Sequence, residues 1–220
     1  MIKRKARTAY MFWLVVTLYI AYPLSELTTL TRILYSAVYC LLLGLGTLIY
    51  SENRRYVVVA GLIAAATILI SLPWILIPEN HWIALGNYIG FTSLNLFIVF
   101  TLVNFLFSAK VVNRDVLYAA ATLYIMIANT FIPFYMCIEV GTQISTQASA
   151  FAMNAGGPVT WQRMAYFSLV TLTTLGYGDI VPVTGLSQMV TSMEAVTGTL
   201  YITFLIGRLV GLYAGEDGED

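Results

Sequence analysis

W-Q-R-M-A-Y-F-S-L-V-T-L-T-T-L-G-Y-G-D-I-V-P, residues 161–182, is the stretch from which the rest of the chain can be read. Its first 14 residues, 161–174, are amphipathic and too short to cross a hydrocarbon layer about 30 Å thick. A Gly/Ser/Thr/Gln-rich loop, 141–160, precedes it, and before that comes an apolar run, 116–138, that contains Pro133. A second long apolar run, 186–213, follows it. A short helix between two spans enters the membrane and returns to the side it came from. Such backbone is tolerated only where protein buries it or where it lines water. The pattern therefore predicts a pore or a cavity before any motif is considered.

Composition supports a membrane setting. Of 220 residues, 59% are hydrophobic and only 10% charged, where a soluble domain carries about 25% charged residues. Eleven basic and eleven acidic side chains cannot cover the surface of a soluble protein of this size. At roughly 20 residues per span, the chain holds several transmembrane helices and no added ligand-binding or nucleotide-binding domain of ordinary size. A net charge of zero suggests no nucleic-acid partner. Four further apolar runs lie upstream: 8–22, ending at Pro23; 33–50; 56–77, interrupted by Pro73; and 88–109, with Asn95 and Asn104 inside it. The expected fold is an all-α integral membrane protein of six transmembrane helices, with a re-entrant pore helix between helices five and six. It divides into a four-helix region (1–110), a pore unit (111–213) and a short acidic tail (214–220). Cys40 and Cys137 both lie in apolar runs and are read as buried thiols without a disulfide or metal role.

Basic residues orient the spans. With the N-terminus inside, Lys3, Arg4, Lys5, Arg7, Arg54, Arg55, Lys110, Arg114 and Arg208 fall on the cytoplasmic side, and only Arg32 and Arg163 fall outside. That bias places both termini in the cytoplasm and the loop 141–187 on the outer face. K-R-K-A-R before a short apolar run also has the form of a secretory signal. The following A-Y-P-L-S lacks a small-residue cleavage pattern, so the first span is expected to be retained.

The segment Y-F-S-L-V-T-L-T-T-L-G-Y-G-D-I-V-P, 166–182, resembles the pore loop of potassium channels. The likeness extends over about 116–211, the helix–pore loop–helix unit, and the first four spans match in number only. The residue types have a physical reason. A dehydrated cation needs a ladder of oxygens, and successive carbonyls point one way only if the backbone alternates between left- and right-handed conformations. Glycine enters the left-handed ones without steric cost, so Gly176 and Gly178 are required. The carbonyls of Thr174, Leu175, Gly176 and Tyr177, with the Thr174 hydroxyl, are the expected potassium sites. One chain supplies one strand, so the resemblance implies a homotetramer around an axis. Leu175 stands where valine or isoleucine is commoner and gives up β-branching. The short helix aims its carbonyl end, about half a negative charge, at the pore centre.

The resemblance also assigns supporting positions. Tyr166 and Phe167 replace a tryptophan pair, and Val170 stands where some relatives carry a glutamate that bonds the aspartate after the filter. A clamp on Asp179 would then depend on Tyr166. Gly198 occupies the position of a hinge glycine, with close helix packing as the other reading. By the same registration Thr199, Ile202 and Ile206 face a cavity below the filter. Glu194 and Glu139, charged within apolar helices, are expected to make structural hydrogen bonds.

The function implied is passive, potassium-selective conduction, with no enzymatic activity and no cofactor beyond the permeant ion. The membrane would be the plasma (inner) membrane if the source is prokaryotic. A non-selective cation channel is the nearest alternative. A potassium-uptake transporter fits less well, since those resemble several linked pore loops and this chain has one. G-x-G-D also occurs in intramembrane aspartyl proteases, but no second aspartate can face Asp179: Asp115 lies at a cytoplasmic helix start, and Asp217 and Asp220 lie in the tail. The fourth run has no Arg or Lys, so conduction is expected to be voltage-insensitive, of a leak type or modulated by a ligand or lipid. His81, the lone histidine, is read as an outer-loop residue, and the acidic tail as solvated.

Overall fold

The computed structural model describes residues 7–21, 31, 34, 38, 39, 54–76 and 80–216. Most of the expected second span, Cys40, and the tail residues Asp217, Glu219 and Asp220 lie outside them. The described elements are α1 (Arg7–Ala21), α2 (Arg54–Leu76), α3 (His81–Ser108), α4 (Arg114–Thr146), β1 (Phe151–Met153), α5 (Trp161–Leu172), β2 (Ile180–Pro182) and α6 (Gly185–Glu216). Among the described residues the fold is helical apart from the three-residue ribbon in which β1 pairs antiparallel with β2, Met153 opposite Ile180. Among the described residues three helices, α3, α4 and α6, are long and apolar enough to cross a membrane; α1 and α2 contribute shorter apolar stretches.

Side-chain caps set the helix starts. The Asn80 carboxamide accepts from the Trp82 and Ile83 amides at 3.0 and 3.3 Å, satisfying two of the orphan donors at the start of α3. Asn113 does the same for Val116 at 3.0 Å at the start of α4, and Thr160 begins α5 by accepting from Arg163 at 3.4 Å. Asn80 starts α3 seven residues before the apolar run at 88, so His81 is the first residue of a helix and not a loop residue. At its other end α4 continues past Ile138 to Thr146, into residues that read as loop. Its last turns are polar, and the hydroxyls of Ser145 and Thr146 turn back to the Gly141 and Thr142 carbonyls. Hydropathy ends before the backbone hydrogen bonding does.

Helix α4 is the central element. One apolar core joins Met11 and Val15 of α1, Leu94, Ile98 and Leu102 of α3, Ala119, Leu123 and Met126 of α4, and Leu172 at the end of α5. A second core nearer the ribbon joins Tyr88, Ile132, Tyr135, Phe151, Met164, Phe167 and Val190. Small and hydroxylated residues let α2 approach α3: a Cβ added at Gly90 would lie 2.8 Å from the Thr67 hydroxyl, and Ser71 donates to Asn87 at 2.8 Å. Cys137 is half-buried with a free thiol, less enclosed than its apolar run suggests. Unlike α4, α6 is mostly uncovered, with Leu186, Met189, Met193, Val196, Leu200 and Phe204 all exposed.

The C-terminal part of α6 is tied to the end of α3. The Arg208 guanidinium donates to the Leu106, Phe107 and Ala109 carbonyls at 2.7, 3.2 and 2.9 Å and lies 5.1 Å from the centre of the Phe107 ring. A cation on the carbonyls at a helix C-terminus meets its partial negative charge.

Candidate functional site

Helix α5 runs between α4 and α6 and ends at Leu172, with Thr173 as its helical C-cap. From there the backbone alternates: φ is +58° at Thr174, +53° at Gly176 and +74° at Gly178, and these are the residues of 173–179 with positive φ. Such an alternation turns successive carbonyls toward one side. Glycine accounts for two of the three left-handed positions. Thr174 is the third, and a β-branched residue there is a steric outlier, of a kind that clusters at functional sites and costs about 1–3 kcal/mol. The motif does not signal this strain, because the expectation for Thr174 concerns its hydroxyl.

The N-terminal part of this segment is bound back to α5. The Thr174 amide donates to Thr171 at 2.9 Å, and those of Leu175 and Gly176 both donate to the Val170 carbonyl, at 2.9 and 3.3 Å. Val170 thus holds the segment through its backbone, having no polar side chain to offer. Residues 173–179 are all exposed in the single chain, including the side chains of Leu175 and Tyr177. The ring of Tyr177 stacks parallel on that of Tyr166, with centroids 6.4 Å apart, and the Tyr166 hydroxyl lies near the Asp179 carboxylate. The structure therefore brings Tyr166 and Asp179 near each other beside the C-terminal end of the segment.

Two buried glutamates brace the surroundings. Glu194 of α6 accepts from Ser168 of α5 and from Tyr135 of α4, and Ser168 also contacts the Ala128 carbonyl at 2.9 Å. Three helices meet at that carboxylate. Glu139 of α4 accepts from Gln143 at 2.7 Å, from Ser149 at 2.9 Å and from the Ala150 amide at 2.8 Å, so it anchors the chain entering β1. Both are structural hydrogen-bond centres.

Gly198 lies against the end of α5. An added Cβ would overlap the Leu172 carbonyl oxygen and sit 3.0 Å from its carbon, so glycine here allows a close helix approach. Tyr124 of α4 donates to the same carbonyl at 3.3 Å. Helix α6 continues unbroken through this position. Thr199, Ile202 and Ile206 lie on its exposed side, away from α4 and α5. Residues the motif did not single out also converge here. Asn154 reaches the Gly178 carbonyl, and Arg163 holds the Gly156 and Pro158 carbonyls at 2.8 and 3.1 Å. A lone Asn in a polar loop and a lone Arg in the first turn of α5 carry no signal of such contacts.

A family model described as ion channel matches residues 100–214, just over half of the chain, which includes α4, α5, the strained segment and most of α6. The chain belongs to the ion channel family. Over 45 residues it is 44% identical to two-pore potassium channel 4 of Arabidopsis thaliana, a match covering 20% of this chain and 16% of that one. Over 77 residues it is 37% identical to a candidate potassium channel protein of Rhodopseudomonas palustris, covering 32% of this chain and 19% of the other. An uncharacterized membrane protein of Bacillus subtilis is 40% identical over 55 residues, 25% of this chain and 16% of its own. The chain thus matches less than a fifth of the length of each of these relatives. No solved structure matches it.

Proposed function

We propose that this chain is a subunit of a homotetrameric, potassium-selective channel. The observation that carries the reading is the left-handed backbone at Thr174, Gly176 and Gly178 directly after the end of α5. In the proposal the carbonyls of Thr174, Leu175, Gly176 and Tyr177 and the Thr174 hydroxyl replace the ion's water, while α5 enters the membrane from the outer face and returns. The potassium channels among the relatives support this choice of ion. Exposure of the whole segment and of the apolar face of α6 supports assembly. Four copies around one axis would cover the first and surround a cavity lined by Thr199, Ile202 and Ile206. Bending of α6 at Gly198, the hinge of the proposal, requires that it leave the Leu172 carbonyl. Both termini lie in the cytoplasm by the charge bias of the loops.

The same reading makes conduction insensitive to voltage. One elementary charge moved through the field is worth about 2.3 kcal/mol per 100 mV, and α3 carries no Lys or Arg to move. The open probability then stays flat, as in a leak or a ligand- or lipid-modulated conductance. The test is purified protein in liposomes with opposed potassium and sodium gradients. A reversal potential near the potassium equilibrium value is the expected result, with little change in open probability on stepping the voltage. A reversal potential near zero would replace this reading with the non-selective cation channel.

A further inference from the structure

The inner end of the strained segment is held by the carbonyls of Val170 and Thr171. The outer end is held differently, by Asn154, whose side-chain amide donates to the Gly178 carbonyl at 3.0 Å. Its backbone amide donates to the Asp179 carbonyl at 2.9 Å. The second bond extends the ribbon by one step, since Met153 pairs with Ile180 and Asn154 comes next, opposite Asp179. Strand register thus delivers the carboxamide to Gly178.

Anchors on both sides prevent Asn154 from drifting. Upstream, Ala150 is fixed to α4 through its amide on Glu139 at 2.8 Å and to α6 through its carbonyl, which accepts from the Ser187 hydroxyl at 2.9 Å. Downstream, the Gly156 amide closes a turn on Met153 at 2.9 Å, and Arg163 of α5 grips the Gly156 and Pro158 carbonyls. The donor is presented by a fixed frame. Its target has a choice: with φ at +74° and no Cβ, Gly178 can turn its carbonyl in or out at little cost.

We propose that Asn154 is a positioning residue for ion conduction: it selects the orientation of the Gly178 carbonyl and so keeps the four carbonyls beneath it, Thr174 to Tyr177, aligned for the ion. The idea rests on the channel reading above. It assigns to the outer loop a support that Val170, with its apolar side chain, does not supply from behind the segment. An ion in the filter and the Asn154 amide then stabilise the same backbone, and each compensates for loss of the other by mass action. A hydrogen bond of ordinary net strength biases such a choice up to roughly tenfold.

The experiment uses the full chain in planar bilayers, comparing wild type, Asn154→Ala and Asn154→Asp at low and high external potassium. Asn154→Asp keeps the size and the backbone ladder and replaces the donor with acceptors. Both variants are expected to shorten conducting episodes roughly tenfold at low external potassium, and high potassium, but not high sodium, should restore them. A purely structural role would instead lower assembly and thermal stability equally in potassium and sodium, and that result would overturn the proposal. Variants that conduct like wild type at low potassium would overturn it too, leaving the channel reading intact. Absence of potassium-selective current from the wild type would remove both.

Discussion

Gly198→Ala tests how α6 is seated, and Gly207→Ala provides an internal reference. Alanine in place of a helical glycine gains about 1 kcal/mol of helix propensity. At Gly207 an added Cβ meets nothing within 4 Å, so that gain is the whole effect within one chain. At Gly198 the Cβ overlaps the Leu172 carbonyl oxygen and lies 3.1 Å from the Leu172 Cδ1. The oxygen belongs to the backbone at the last residue of α5 and cannot rotate aside, so one helix must move. Overpacking of this kind costs about 1–3 kcal/mol. Two identical substitutions in one helix should therefore differ in stability by about 1–3 kcal/mol, with Gly207→Ala the more stable. The displaced carbonyl is two residues before Thr174, so ion selectivity should also suffer in Gly198→Ala and not in Gly207→Ala. Thermal unfolding of the purified proteins in detergent, followed by tryptophan fluorescence, gives the first comparison, and reversal potentials give the second. Equal unfolding midpoints with an altered open probability would identify Gly198 as a hinge alone and refute the packing argument.

Gly176→Ala and Gly178→Ala each place a side chain in left-handed backbone at a cost of about 1–2 kcal/mol. Nothing lies within 4 Å of either Cβ, so conformation alone should abolish selective flux, read as a collapse of the reversal potential. Tyr166→Phe removes the hydroxyl that meets Asp179 while keeping the ring stacked on Tyr177. Single-channel dwell times should shorten with assembly unchanged, and unaltered dwell times would dismiss the clamp. Arg208→Gln weakens three contacts to carbonyls at the end of α3, each of a charged type worth about 1.5–3 kcal/mol when fully formed. The Ala109 amide, bonded to Leu106 at 3.2 Å, should then exchange its hydrogen faster, and an unchanged rate would show that the cap contributes nothing.

The sequence alone determined whatever depends on local pattern. Apolar run length marked the spans that became α3, α4 and α6, and the run of 14 residues too short to cross marked α5. The chemistry of G-Y-G called for left-handed backbone at Gly176 and Gly178, where φ is indeed positive, because a missing Cβ is a property of the residue itself. Helix ends were less legible: Asn80 and Glu139 extend α3 and the chain beyond α4 through polar contacts that hydropathy does not register. Tertiary structure decided the rest. Asn154 meets Gly178 across 24 positions, Glu194 meets Ser168 across 26, and Arg208 meets Leu106 across 102. None of these pairs shares a period or a motif, since each exists only because helix packing and one strand register bring distant backbone together. The left-handed Thr174 belongs with them: its threonine would avoid that conformation in isolation, and the bonds from 174–176 back to the end of α5 hold it there.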